Sequence, residues 1–144
     1  MAESQGMAAR SPAAQRPGTA ASDLDLDLAG ELARTVELDR LVRLLRRRAL
    51  VPQTVIAEAT GASLRAVRNW EDGARARRIY DDRVRALAAA AGEISSTVTP
   101  RGISQWLVAR NRLLDDRRPV EALAASDFDA VLRAARLFAD GSYA

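Results

Sequence analysis

Residues 53–73 read Gln53-Thr-Val-Ile-Ala-Glu-Ala-Thr-Gly-Ala-Ser-Leu-Arg-Ala-Val-Arg-Asn-Trp-Glu-Asp-Gly73, and this stretch decides the fold. It predicts two short helices that cross at a steep angle with their backbones close together. Ala57 is small enough for the crossing, and Gly61 supplies a turn residue that accepts a positive φ. The apolar residues at helical spacing, which would bury one face of each helix, are Ile56, Val67 and Trp70. Together these features are typical of a helix-turn-helix.

The second of these helices carries side chains suited to DNA on its predicted solvent face. Arg bonds guanine bidentately, Asn bonds adenine, and both can also bind phosphate. Ser63 is a predicted N-cap whose hydroxyl can accept from an amide of the first turn or reach a phosphate. Gln53, at the start of the first helix, is predicted to contact a backbone phosphate. The residues predicted to face the groove are Leu64, Arg65, Arg68 and Asn69.

An ordinary helical hairpin could show the same small and apolar residues, but the charge distribution favours DNA. Residues 31–80 contain eleven arginines and six acidic residues, a surplus of five, whereas residues 1–30 carry a net charge of minus two and residues 81–144 are neutral. A local positive surplus is typical of a surface that meets phosphate. A charge run is more often a solvated face, so Arg46 and Arg77 are assigned to phosphate because they flank the motif.

Composition narrows the possible functions. Cysteine and histidine are both absent, which excludes thiol nucleophiles, disulfides, zinc sites built from these residues and imidazole acid-base chemistry. The adjacent acids Asp81-Asp82 and Asp115-Asp116 suit helix starts and turns better than a catalytic pair. The sequence therefore predicts a protein that is not an enzyme and has no cofactor. Because it lacks both a membrane-spanning apolar run and a signal peptide, a cytoplasmic location without a membrane partner is expected.

The sequence predicts three parts. Residues 1–21 are rich in Ala, Ser, Gly, Gln and Pro and are predicted to be a disordered tail. Residues 22–98 form a helical DNA-binding region; within it, residues 23–28 alternate like a strand, but a helix is favoured because no partner strand follows. Residues 99–144 form a second helical unit. The predicted fold class is all-α.

Helix boundaries follow from local signals. A helix before the motif ends ahead of Pro52, and a long helix follows the motif from about Tyr80 toward Thr97. The signals in the last unit are an N-cap at Thr99, a helix start at Pro119, an N-cap at Ser126 and a left-handed end at Gly141.

The last unit resembles the C-terminal toxin-binding domain of the MbcA/ParS/Xre antitoxins. The resemblance rests on the order Gly102-Ile-x-x-Trp106-Leu107, Asn111, Leu114, Pro119, Leu123, Val131 and Gly141. In that family an Xre-like helix-turn-helix precedes the domain, and here the resemblance covers about residues 38–144. Members often have Gly in the turn where this chain has Asp115-Asp116. Asp tolerates left-handed conformations better than most residues, so the turn is expected to survive.

The resemblance implies the antitoxin of a type II module, with a co-encoded RES-domain toxin that consumes NAD as partner. The C-terminal domain would cover the toxin's active site while the helix-turn-helix binds operator DNA and represses the operon. Because one helix-turn-helix makes few contacts, a homodimer within a hetero-oligomer is expected. The predicted toxin-binding residues are Trp106, Asn111, Arg112, Leu114, Arg117, Arg118, Pro119 and Tyr143.

Two alternatives stay open. Trp106 and Leu114 can instead fill the domain's own core, which favours the polar turn from Asn111 to Arg118 and the aromatic Tyr143 for toxin contact. The whole chain could also be a plain repressor whose C-terminal helices dimerise or sense a ligand. Both functions predict operator binding, and they differ in whether residues 99–144 bind a toxin.

Overall fold

A computed structural model describes residues 27–141 of the chain. This part is built from helices and turns, which confirms the all-α prediction, and its sole extended pairing is one antiparallel bridge between Asn111 and Arg117. The predicted tail of residues 1–21 and Tyr143 lie outside the described residues. The elements are α1 (residues 27–34), α2 (Leu38–Arg47), α3 (Gln53–Thr60), α4 (Leu64–Glu71), α5 (Arg78–Ile94), α6 (Pro100–Val108), a 3-10 turn (Arg112–Leu114), α7 (Pro119–Ala124) and α8 (Phe128–Ala139).

Helix α1 packs on α5. Its residues Leu28 and Leu32 are buried, and Arg85 of α5 donates a hydrogen bond of 2.7 Å to the carbonyl of Val36 just beyond α1. The preference for helix over strand is therefore confirmed at residues 27–28, whereas residues 23–26 lie outside the described part.

The predicted helix signals around the motif form as expected. Gly61 ends α3 in the left-handed conformation with φ 77°, and the Ser63 hydroxyl caps α4 by accepting from the Ala66 amide at 3.0 Å. The Thr99 hydroxyl caps α6 in the same way, with 3.2 Å to the Gly102 amide. Each of these signals depends on a few neighbouring residues, which is why the sequence could predict it.

The prediction that Ser126 caps the last helix is wrong. Helix α8 begins at Phe128, with Asp127 at its N-cap. Ser126 instead ends α7: its φ is 60°, and its amide donates to the Leu123 carbonyl at 2.9 Å. Its hydroxyl accepts a hydrogen bond from Nε of Arg83 at 3.0 Å. Ser126 thus takes the left-handed position that glycine usually occupies at a helix end.

The apolar core is continuous across the predicted boundary between residues 98 and 99. Helix α5 lies at its centre and contacts α2, α3, α7 and α8, while α3 packs directly on α7. Two ring contacts accompany this core, Trp70 with Tyr80 and Trp106 with Phe138. Between residues 27 and 141, no helix combines the length and apolar character needed to cross a membrane.

Candidate binding surfaces

Helix α4 divides into a buried face and a polar face. Val67 and Trp70 point into the core, whereas Arg65, Arg68 and Asn69 are exposed. Leu64 is half-buried and Ser63 exposed at the start of the helix. The side chains predicted to meet a DNA groove thus lie together on one accessible face.

A further arginine predicted to contact phosphate lies beyond α4. Arg77, which is predicted to contact phosphate, lies in the connection to α5 and is exposed. Neither it nor Arg65 or Arg68 forms an ion pair with an acidic residue of the described part of the chain. Their guanidinium groups are therefore not engaged by the acidic side chains of residues 27–141.

Glu71, the last residue of α4, joins three helices. Its carboxylate accepts from Arg46 Nη1 of α2 at 2.6 Å and from Gln53 Nε2 of α3 at 3.0 Å. Arg43 of α2 donates to the Glu71 carbonyl at 2.8 Å. Glu71 is buried, with 9% of its surface exposed. These bonds fix the end of α4 against α2 and the start of α3.

The same network holds two residues that the sequence assigns to phosphate. A glutamine amide has two N–H donors and a guanidinium has five, so Gln53 and Arg46 both keep donors beyond those used by Glu71. Sequence reasoning missed Glu71 itself. The signal was present, because Glu71 follows Val67 by four residues and therefore lies on the buried face of α4.

The pKa of Glu71 reflects competing effects. Burial would raise the pKa, but the hydrogen bonds from Gln53 and Arg46 and the charges of Arg46 and Arg47 outweigh it and hold the pKa of Glu71 below its ordinary value. Glu71 is therefore ionised at neutral pH, where its carboxylate accepts both hydrogen bonds.

A second polar surface is formed by residues 109–118, called here the 109–118 loop. The Asn111 side chain accepts from the Leu113 amide at 2.9 Å. Asp115 and Asp116 have φ values of 58° and 65°, so both adopt left-handed conformations, as expected for the residues that replace glycine in this turn. Arg110 donates to the Asp116 carbonyl at 3.1 Å and ties the loop across its base.

Burial separates the described members of the predicted toxin-binding set into three groups: buried, exposed and half-buried. Trp106, Leu114 and Pro119 are buried, as the core interpretation of Trp106 and Leu114 predicts. Arg112 is exposed, and beside it Leu113, which the sequence did not single out, is 39% exposed. The remaining described members, all half-buried, are Asn111, Arg117 and Arg118.

Two half-buried arginines anchor the end of the loop. Arg117 pairs with Asp127 at 2.8 Å, whereas Arg118 pairs with Glu58 of α3 and lies 3.4 Å from the Glu121 carboxylate. The hydrogen bond to Glu58 is the main cause that raises the pKa of Arg118, with further contributions from the charges of Glu58 and Glu121. The loop is therefore attached both to α8 through its N-cap and to α3.

Comparison with known proteins identifies the family. No protein-family model matches the chain. Over 116 residues the chain is 40% identical to the probable mycobacterial cidal antitoxin Rv3188 of Mycobacterium tuberculosis, and the match covers 81% of this chain and 99% of that protein. The chain belongs to the MbcA-type antitoxins. The family resemblance predicted from the order of residues between Gly102 and Gly141 is thereby confirmed.

A solved structure shares the fold of this MbcA-type antitoxin. In the crystal structure of the MbcT–MbcA toxin–antitoxin complex of M. tuberculosis, one chain superposes with a TM-score of 0.65 at 22% identity. The match covers 76% of this antitoxin and 100% of that chain. The helical fold described above is therefore shared with that chain.

Proposed function

We infer that this MbcA-type antitoxin neutralises a co-encoded RES-type toxin that consumes NAD and represses its own operon through α3 and α4. The observation that carries the proposal is the 40% identity to a probable antitoxin over 99% of that protein's length. The matching fold of a chain from a toxin–antitoxin complex supports a toxin as partner. The RES class of the toxin follows from the family resemblance of residues 99–144.

The 109–118 loop is the proposed contact with the toxin. Leu114, 1% exposed, anchors the loop in the core, so the adjacent Arg112 and Leu113 can enter a cleft without any loss of core packing. Arginine is enriched among the residues that dominate binding at interfaces, and Leu113 adds exposed apolar surface beside Arg112. A cationic loop also complements a site that binds NAD, since the dinucleotide is an anion.

Operator DNA is the second proposed partner. Arg65, Arg68 and Asn69 of α4 would read base edges, and Arg77 would contact phosphate. Gln53 and Arg46 would also contact phosphate, while their hydrogen bonds to the Glu71 carboxylate fix their positions. A homodimer would place two copies of α4 on the two halves of an inverted repeat.

Co-expression with the neighbouring toxin gene tests the proposal. The full-length chain should restore growth and cellular NAD in cells that make the toxin, and the two proteins should copurify. The chain should also retard its own promoter fragment in a mobility-shift assay. Absence of both rescue and complex would exclude the toxin-binding function, and absence of any promoter shift would exclude autorepression.

A further inference from the structure

Leu50 occupies a backbone position that normally takes glycine. It follows α2 with φ 54°, and the Val51 amide donates across the turn to the Leu45 carbonyl at 2.9 Å. A Cβ in this left-handed conformation costs free energy that glycine avoids. Burial in the core does not offset this cost, because Leu50 is 51% exposed. A strained residue whose side chain lies in solvent points to a contact outside the chain.

Leu50 lines an open groove of about 440 Å³ between α6 and the turn that joins α2 to α3. Val108 at the end of α6, 38% exposed, and the buried Val55 of α3 supply the rest of its apolar surface. The other lining residues are polar: Arg101, Ser104 and Gln105. Apolar surface with a polar edge is a common composition of protein-binding sites.

The charge of this groove favours an acidic partner. Arg101 is exposed, no acidic residue lines the groove, and within residues 27–141 no acid pairs with Arg101. A symmetric contact between two copies would bring both Arg101 side chains into one interface, where like charges repel. The groove therefore fits a partner with a carboxylate beside an apolar side chain better than it fits a second copy.

The groove is also continuous with the 109–118 loop. Val108 directly precedes Ala109, the first residue of that loop. A stable protein interface buries about 800 Å² on each partner, spread over about 20–30 residues. The loop has only ten residues, and Leu114 among them is buried. A toxin that binds the loop must therefore also cover neighbouring surface.

We propose that the toxin covers this groove together with the 109–118 loop, placing an apolar side chain against Leu50 and Val108 and a carboxylate beside Arg101. This inference rests on the proposed function. It extends the toxin contact beyond residues 99–144 to the turn between α2 and α3. Leu50 then becomes buried in the complex, which explains why a leucine stands where glycine would be less strained.

The affinity of full-length Leu50→Gly for the toxin, measured by titration calorimetry, tests the groove. Loss of the left-handed strain should offset loss of the half-buried side chain, so the melting temperature should stay near the wild-type value. About half of the leucine remains to be buried by a partner, so toxin affinity should fall about three- to tenfold. A residue with only a structural role would not lower affinity while stability is kept.

Val36→Gly is the matched control. It makes the same replacement at an apolar residue that is 72% exposed and precedes α2, at the opposite end of that helix from Leu50. This variant should bind the toxin as the wild type does. Arg101→Gln should lower toxin affinity and weaken its salt dependence, because a charged contact is lost.

A labelling experiment identifies what covers the groove. The chain has no cysteine, so Leu50→Cys introduces a single thiol, and its reaction with a maleimide can be followed on this chain by mass. The thiol should react quickly in the free protein and slowly in the toxin complex. Slow labelling of the free protein that becomes faster on dilution would show a second copy on the groove. Slow labelling at every concentration would show a segment of the chain itself, and either result overturns the proposal.

Two further results separate this proposal from the proposed function. Wild-type toxin affinity in Leu50→Gly, or equally fast labelling with and without toxin, overturns the groove contact and leaves the proposed function standing. Failure of the wild-type protein to bind toxin at all contradicts the proposed function instead.

Discussion

Arg46 and Glu71 form an ion pair in which Nη1 lies 2.6 Å from the carboxylate, joining α2 to the last residue of α4. The Glu71 side chain is only 11% exposed, whereas that of Arg46 is 36% exposed. The carboxylate therefore lies on the inner side of the pair, and the guanidinium reaches outward. This arrangement makes Glu71 the structural support of a surface that we propose meets DNA.

Removal of the Glu71 charge should weaken the fold. At neutral pH, Glu71→Gln should lower the free energy of unfolding by about 1–3 kcal/mol, because charged hydrogen bonds to Arg46 and Gln53 are lost. The pKa of Glu71 is lowered in the folded state, so its stabilisation is present above the ordinary range of glutamate and is lost as pH falls through the lowered pKa. The free energies of unfolding of the wild type and of Glu71→Gln, measured by urea titration at several pH values, should thus become equal in acid. Glu37→Gln, at an exposed glutamate, is the control. A difference in unfolding free energy between the wild type and Glu71→Gln that persists unchanged to low pH would contradict the ionic role of Glu71.

The two classes of arginine should behave differently toward DNA. Arg68→Ala should weaken operator binding by about 1–3 kcal/mol and relax sequence preference, because a base contact is lost. Arg77→Ala should weaken binding to all sequences alike and flatten the salt dependence. Mobility shifts on operator and unrelated DNA at two salt concentrations separate these effects. The control is Arg133→Ala, at an exposed arginine of α8, which should change neither the affinity for DNA nor its salt dependence. Unchanged affinity in both Arg65→Ala and Arg68→Ala would remove α4 from the groove.

A methyl group added at two glycines should change the stability of the protein in opposite directions. Gly61 has φ 77°, where a Cβ is strained, so Gly61→Ala should lower the free energy of unfolding by about 1–2 kcal/mol. Gly92 is helical, and an added Cβ would find its nearest neighbour, the Ala29 Cα, at 3.8 Å. Gly92→Ala should therefore be neutral or stabilise the protein by up to about 1 kcal/mol. Thermal unfolding checks both, and equal effects would argue against the left-handed turn.

The loop surface can be separated from its core support. Leu113→Asp should abolish toxin binding and growth rescue while lowering the melting temperature far less than a change in the core, because Leu113 is 39% exposed. Trp106→Ala should instead lower the free energy of unfolding by about 3–5 kcal/mol, since a buried aromatic leaves a cavity. Full rescue by Leu113→Asp would place the toxin contact elsewhere.

Helix class and most helix ends were predictable because their causes are local. Periodic apolar residues, the hydroxyl caps of Ser63 and Thr99, and the positive φ of Gly61 each depend on residues within a turn or two. Ser126 was assigned wrongly because two local signals overlap there. A serine two residues before Phe128 suits the N-cap of α8. In the structure Ser126 instead ends α7 in the left-handed conformation, and Asp127 is the N-cap of α8.

The sequence by itself determined the all-α class, the motif around Gly61, the positive zone around it and the family resemblance of residues 99–144. Only the tertiary structure decided which charges meet. Glu71 binds Arg46, 25 residues away, and Arg118 binds Glu58, 60 residues away, because helices that are distant in sequence pack side by side. Spacing along one helix specifies a face but not what covers that face. For the same reason, only packing could bury Leu114 and leave its neighbour Leu113 in solvent.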